Sequence, residues 1–206
     1  MSHQSREAGA TKGEPYTPRM FWTLPTIMTW TRIVAIPLIV GVFYLDLQPP
    51  TRNLIATVLF IVVALTDWAD GWLARRLNQT SSFGAFLDPV ADKFLVCASL
   101  LILVAGSRVN AFIALIIIGR EIAISALREW MAKVGQAKSV AVAFIGKLKT
   151  TVQMVAIPLL LYNDWLFELV DCQWLGTILI NVAAVLTVAS MLYYLRKALP
   201  YTLNSR

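Results

Sequence analysis

The sequence predicts an all-α membrane protein with six transmembrane helices, and three observations carry that prediction. Hydrophobic residues make up 58% of 206 positions and charged residues only 15%, with a mean hydropathy of +0.66. A soluble domain carries about 25% charged residues. The apolar residues gather in successive runs of near-spanning length, which leaves no room for a separate soluble module. Finally, the basic residues fall almost entirely on one side of those runs.

Residues 1–20, MSHQSREAGATKGEPYTPRM, are polar and lack the short apolar core and small-residue cleavage site of a secretory signal. They read as a disordered cytoplasmic tail ahead of a membrane domain over 21–206. Six runs follow, at 26–45, 54–75, 89–105, 110–130, 145–162 and 175–196. They are too long and too uniformly apolar for the alternating strands of a barrel, and a segment in lipid has to satisfy its own backbone hydrogen bonds, so each is expected to be a helix. Pro37 and Pro158 fall inside runs and read as packing kinks. Trp22, Trp30, Trp165 and Trp174 read as interface markers.

Arg52 and Arg108 are the only basic residues in the odd-numbered connections, while the other sixteen of eighteen lie in the tails, the even connections or the run halves leading to them. That distribution places both termini in the cytoplasm. The fifth connection carries Asp164, Glu168 and Asp171 and no cation, as an outer loop would. With cations sorted by membrane side, the net charge of +6 points to anionic headgroups and phosphorylated substrates rather than nucleic acid. The single histidine, His3, sits in the tail, which excludes histidine-based triads and metal sites. Cys97 and Cys172 fall at different depths and are not expected to pair.

Four aspartates stand out against this background. Asp67, Asp70, Asp88 and Asp92 follow the register Asp-x2-Asp-Gly-x2-Ala-Arg-x8-Gly-x3-Asp-x3-Asp at the cytoplasmic ends of the second and third runs. A carboxylate costs about 2.5–3.5 kcal/mol at the centre of a membrane helix, so a cluster implies compensation. The spacings place each pair on one helix face, and the polar link through Asn78, Gln79, Thr80, Ser81, Ser82 and Gly84 lets the two helices run antiparallel. Oxygen ligands converging in this way suit Mg2+ or Mn2+, and a pair of such ions about 3.5–4 Å apart can clamp both oxygens at a reacting phosphorus. Gly71 and Gly84 permit close approach of backbone and ligand, Ala74 keeps its position small, and the planar fork of Arg75 suits a diphosphate. An acidic ion relay is the competing reading. It requires neither the glycines nor the arginine, and the chain shows no internal repeat of the kind many transporters have.

With all eight positions present, this register resembles the signature of the CDP-alcohol phosphotransferases, membrane enzymes that move a phosphoryl-linked group from a CDP-linked donor to an alcohol. The resemblance implies that family's fold and two divalent ions on Asp67, Asp70 and Asp88. Asp92 is implied as the general base, itself within reach of metal. It further implies CDP-diacylglycerol contacts from Gly71, Arg75 and Ser81, with Gly84 where the nucleotide comes close. Thr26 stands after Pro25 where many relatives have asparagine, at a position implied to contact the cytidine. The blocks LPTIMTWTRIVAIP, GREIAISALREWM and SVAVAFIGKLKTTVQMVAIP are similar to the branch of the family that uses glycerol 3-phosphate as acceptor. Transfer of a phosphatidyl group to that acceptor in the bacterial inner membrane, by a homodimer, is the expectation. Inositol phosphate as acceptor is the alternative within the same chemistry.

The acceptor side follows from charge. Arg120 and Glu121 interrupt the apolar stretch ALIIIGREIAISAL, and neighbours on a helix point apart, so they do not satisfy each other alone. Arg128, Lys147 and Lys149 read equally well as flanking cations. A dianionic acceptor phosphate held beside four carboxylates requires fixed cations, however, and Arg120, Arg128, Lys147 and Lys149 are the available set. Of the two lysines, Lys147 is the first choice, because Gly146 precedes it.

Overall fold

The computed structural model describes the backbone of residues 24–77, 82–135 and 144–203 and the side chains of 30–66, 89–135 and 144–199. The tail Met1–Met20, including His3, and Trp22 lie outside the described residues. The helices follow in order as α1 (Leu24–Val42), α2 (Pro49–Leu77), α3 (Ser82–Ala105), α4 (Ala111–Lys133), α5 (Phe144–Tyr162) and α6 (Cys172–Leu203). Each corresponds to one apolar run.

The boundaries differ from the sequence reading where polar residues join a helix end. α2 opens on Pro49, upstream of its apolar run, because proline's missing N–H costs nothing in a first turn. α3 opens on Ser82 rather than Pro89, so Pro89 lies inside the helix alongside the expected interior prolines Pro37 and Pro158. The link between α2 and α3 is correspondingly shorter than its polar composition implies. α4 is capped by Asn110, whose side chain accepts from the Phe112 N–H at 2.8 Å, and it closes on Gly135 at φ +77°. The fifth connection folds as a hairpin, β1 (Trp165–Leu166) against β2 (Val170–Asp171), which the sequence reading did not include. Its acids have local tasks: Asp171 caps α6 by accepting from the Trp174 N–H, and Asp164 accepts from that of Trp165.

Among the described residues, Pro49–Thr66, Phe144–Tyr162 and Cys172–Leu199 are long and apolar enough to cross a membrane, and Trp30–Val42 is a shorter apolar stretch. The charges of α4, Arg120, Glu121 and Arg128, lower the hydropathy of that helix. Leu38, Val62, Leu65, Leu101, Leu115 and Val185 face outward, far more contiguous apolar surface than a water-soluble fold carries, so the outer face of this bundle belongs in lipid. Inside, Phe60, Leu100, Leu103, Ile117, Ile157 and Leu160 are fully buried in one core.

Helices α5 and α6 pack tightly along their length, α1 packs on both α2 and α3, and α4 packs on α6. Gly176 sets the α5–α6 approach, since a Cβ there would lie 2.7 Å from Leu160 Cγ and 3.2 Å from the Leu160 backbone N. At the same end of the bundle Arg108 joins three elements. Its guanidinium donates to the Leu160 and Leu161 carbonyls at 3.1 and 2.7 Å and to Asn53 Oδ1 at 2.7 Å. The last carbonyls of a helix lack intrahelical partners and form the negative end of its dipole, so a cation there is favourable on both counts. Burial, with Arg52 nearby, pulls the Arg108 pKa below the usual arginine range. Arg52 itself stacks over Phe43, 5.2 Å from the ring centroid. The two basic residues that depart from the one-sided charge distribution are thus both engaged in packing.

Two outcomes follow. Gly176→Ala is expected to lower stability by about 1–3 kcal/mol through overpacking against Leu160, and an unchanged melting temperature in detergent would contradict this α5–α6 contact. Arg108→Ala is expected to cost about 2–3 kcal/mol, with partial rescue by lysine. That is checked in the same melt, and equal stability of Ala and wild type would remove the capping role.

Candidate active site

The aspartate register is split between two helices, as the spacing predicts. Asp67, Asp70, Gly71, Ala74 and Arg75 fall in the closing turns of α2, and Gly84, Asp88 and Asp92 in the first half of α3. Ser81 lies outside the described residues, as do the side chains of Thr26 and of residues 67–88. Asp92 is therefore the member whose surroundings the structure describes. Among the described residues no three acidic, histidine or cysteine side chains converge on a metal site.

Asp92 is half exposed, and its Oδ1 accepts from Nη1 of Arg32 at 2.5 Å. Arg32 projects from α1 and is buried, its side chain only 4% exposed. Sequence reasoning counted Arg32 among the flanking cations, although its position inside the apolar run TWTRIVAIP was a signal that it has a partner. A buried guanidinium at this distance fixes the Asp92 carboxylate against α1. An apolar cavity of about 1100 Å3 runs between α1 and α3 from this level, bordered by Ile33, Phe94 and Cys97 at one end and Gly106 at the other.

Three of the four cations read as acceptor ligands, Arg120, Arg128 and Lys149, lie together where α4, α5 and α6 meet. Arg120 is buried; its Nη2 donates to Ser190 Oγ at 3.1 Å and its Nη1 lies 3.5 Å from Glu121 Oε1. Glu121 takes a closer partner in Lys149, a fully buried lysine of α5. Arg120 and Glu121 thus each have a partner on a neighbouring helix besides each other. Lys147, the preferred lysine, is exposed, and the inward one is Lys149. The reason is helical phase: the buried stripe of α5 runs Gly146, Lys149, Gln153, Ala156, Ile157, Leu160, and Lys147 lies off it. Gly146 marks the stripe but not the residue that follows it.

Arg128, two turns beyond Arg120, is half-buried. Both guanidiniums lie over the ring of Tyr194, at 5.6 Å for Arg128 and 5.9 Å for Arg120. Tyr194 and Ser190 on α6 were absent from the sequence reading; the polar stripe Thr187, Ser190, Tyr194 in an apolar helix was the available signal. Several buried polar atoms here lack partners among the described residues: Nε of Arg120, Nε of Arg128, Gln153 Oε1 and Thr187 Oγ1. Such atoms are costly in a finished core and ordinary in a site that awaits a ligand. Glu121 and Lys149 lie close enough to Cys97 to interact with it electrostatically, which places this cluster beside the helix that carries Asp92.

These features define a helical membrane protein with Asp92 paired to Arg32 on one half of its bundle and Arg120, Arg128 and Lys149 gathered near Glu121 and Tyr194 on the other. Residues 22–189 match the CDP-alcohol phosphatidyltransferase family, and the chain belongs to it. It is 48% identical over 184 residues to a CDP-diacylglycerol–glycerol-3-phosphate 3-phosphatidyltransferase of Salmonella choleraesuis (strain SC-B67), covering 87% of this chain and 96% of that one. It is 50% identical over 185 residues, with the same coverage, to enzymes of the same name from Shigella flexneri serotype 5b (strain 8401) and Escherichia coli (strain K12). Family membership sets the ion-relay reading aside.

The buried pair offers a test of structure against function. Glu121→Gln leaves Lys149 buried without its counter-charge and is expected to cost about 3–5 kcal/mol, whereas Glu121→Gln with Lys149→Met removes both charges and restores most of it. Thermal melts of the two variants check this; a double variant no more stable than the single would show that the pair is not coupled.

Proposed function

We propose that this protein transfers the phosphatidyl group of CDP-diacylglycerol to glycerol 3-phosphate, giving phosphatidylglycerophosphate and CMP. One observation carries the choice of acceptor. Among the described residues Arg120 and Lys149 both contact the carboxylate of Glu121, and Arg128 shares the Tyr194 ring with Arg120, so the cluster sets three cations against one anion. That surplus of two positive charges equals the charge of a phosphate monoester dianion, and the Nε–H groups of both arginines, which have no partner among the described residues, are available to its oxygens. A neutral alcohol would leave the surplus uncompensated. Lys147, exposed at the same end of α5, adds positive potential at the entrance.

On the donor side, Gly71, Ala74, Arg75, Ser81 and Gly84 would cradle the CDP diphosphate, with Thr26 near the cytidine. The acyl chains remain in lipid, and the α1–α3 cavity, whose lining includes Ile33 and Phe94, has the apolar character to take one of them. Asp67, Asp70, Asp88 and Asp92 are a hard-oxygen donor set suited to two divalent ions, Mg2+ or Mn2+, which supply neutralisation of charge at the phosphoryl oxygens when bound. Asp92, steadied by Arg32, takes the proton from the 1-hydroxyl of glycerol 3-phosphate. That oxygen attacks the lipid-linked phosphorus as the bond to the CMP oxygen breaks. Positioning and electrostatics carry the rate, as in other phosphoryl transfers.

The same reading has all six helices crossing the bacterial inner membrane, with both termini and the aspartates on the cytoplasmic side and the hairpin outside. It rests on helix lengths of 19 residues or more and on the placement of the cations. It also takes the working unit to be a homodimer.

Purified protein in detergent with Mg2+ and CDP-diacylglycerol is expected to release CMP only when glycerol 3-phosphate is present; release with inositol phosphate instead would replace the acceptor. Asp92→Asn is expected to lose at least about a hundredfold in turnover while still binding CDP-diacylglycerol. Near-normal turnover in that variant would rule out the base.

A further inference from the structure

The geometry points to Tyr194 as a positioning residue for the acceptor: its ring holds Arg120 and Arg128 in the one arrangement that receives the phosphate. This inference rests on the reading of those arginines as the acceptor site. Tyr194 is fully buried on α6, and both guanidinium carbons lie within 6 Å of its ring centroid. Arg120 and Arg128 are eight residues apart on α4, so their Cα atoms are separated by about 12 Å along the helix axis. Bringing both head groups to one ring requires the side chains to lean toward each other, which mutual repulsion opposes. An aromatic face offsets that repulsion without adding a negative charge that would compete with the incoming phosphate. A carboxylate at this position would neutralise the site, and an aliphatic residue would leave the arginines unheld.

The rest of α6 supports the same arrangement. Ser190, one turn before Tyr194, accepts from Arg120 Nη2 and in turn donates to the Thr187 carbonyl at 2.9 Å, which fixes its hydroxyl. Arg120 is thus held at Nη2 by Ser190, at Nη1 by Glu121 and over the ring of Tyr194, while its Nε is left without a partner among the described residues. Pre-ordering of this kind lowers the entropy lost when the acceptor binds and shows in the acceptor's KM rather than in the chemical step.

The test compares Tyr194→Phe with Tyr194→Leu. Both lack the hydroxyl and only phenylalanine keeps the ring. The KM for glycerol 3-phosphate is expected to be roughly tenfold higher in the leucine variant than in the phenylalanine variant. The KM for CDP-diacylglycerol and kcat at saturating acceptor should match between them. Because replacing a buried ring by leucine also removes packing, a series of phenylalanines at position 194 carrying increasing numbers of fluorines provides the second measurement. Shape is nearly constant across that series while the negative face of the ring weakens, so the acceptor KM should rise with fluorination. A flat series, or equal acceptor KM in the leucine and phenylalanine variants, overturns the positioning role. Arg120→Ala separates the two layers: if it leaves the acceptor KM unchanged, the acceptor-site reading itself falls, and the role of Tyr194 with it. If Arg120→Ala raises the acceptor KM and the fluorinated series is flat, only the role of Tyr194 falls.

Discussion

A charge inside an apolar bundle has to be met by an opposite charge, a dipole or a ligand, because lipid and hydrocarbon side chains offer none of these. In this chain that requirement organises the helix contacts. Arg32 with Asp92 ties α1 to α3, Lys149 with Glu121 ties α5 to α4, and Arg120 with Ser190 ties α4 to α6. Arg108 ties the α3–α4 connection to the end of α5 and to α2. Apolar packing in a membrane has little preference for one rotation of a helix over another, since lipid tails are as apolar as leucine. These polar contacts are directional, so they select the rotation and depth at which each helix sits.

The same principle separates what the sequence made readable from what it did not. Long apolar runs have one backbone solution in lipid, and all six helices were readable for that reason. The ends were less so: Ser82–Leu87, with Ser82, Gly84 and the following Asp88 and Pro89 interrupting its apolar residues, read as part of a link, yet it continues the helix, and Pro89 is carried inside. The hairpin Trp165–Asp171 was missed because two-residue strands in a short connection have neither the length nor the alternation that signals pairing. Within the sites, residue type announced Asp92 and Arg120, since a charge in an apolar run is conspicuous. Phase decided Lys149 over Lys147, and phase can be read only once the buried stripe of α5 is known. Arg32 and Tyr194 were passed over because an arginine near a membrane interface and a tyrosine in an apolar helix both have ordinary explanations. Only their partners across helices mark them.

The bundle divides in a way that parallels the proposed chemistry. α1, α2 and α3 pack together and hold the aspartate register, while α4, α5 and α6 pack together and hold the cation cluster. The halves meet where α2 packs on α5 and where α3 packs on α4 and α5. Two anionic substrates that react with each other repel on approach, and a single acidic or a single basic pocket would hold only one of them. On the proposed reading, the diphosphate goes to the carboxylate half, whose negative charge suits metal ions, and the acceptor phosphate goes to the cationic half. The reacting hydroxyl is left at the seam, on the helix that carries Asp92. Glu121 then has a second consequence beyond pairing with Lys149. On that reading, by neutralising one of the three cations among the described residues it leaves the cluster matched to one dianion rather than overcharged, which suits release of the phosphorylated product as well as capture of the substrate.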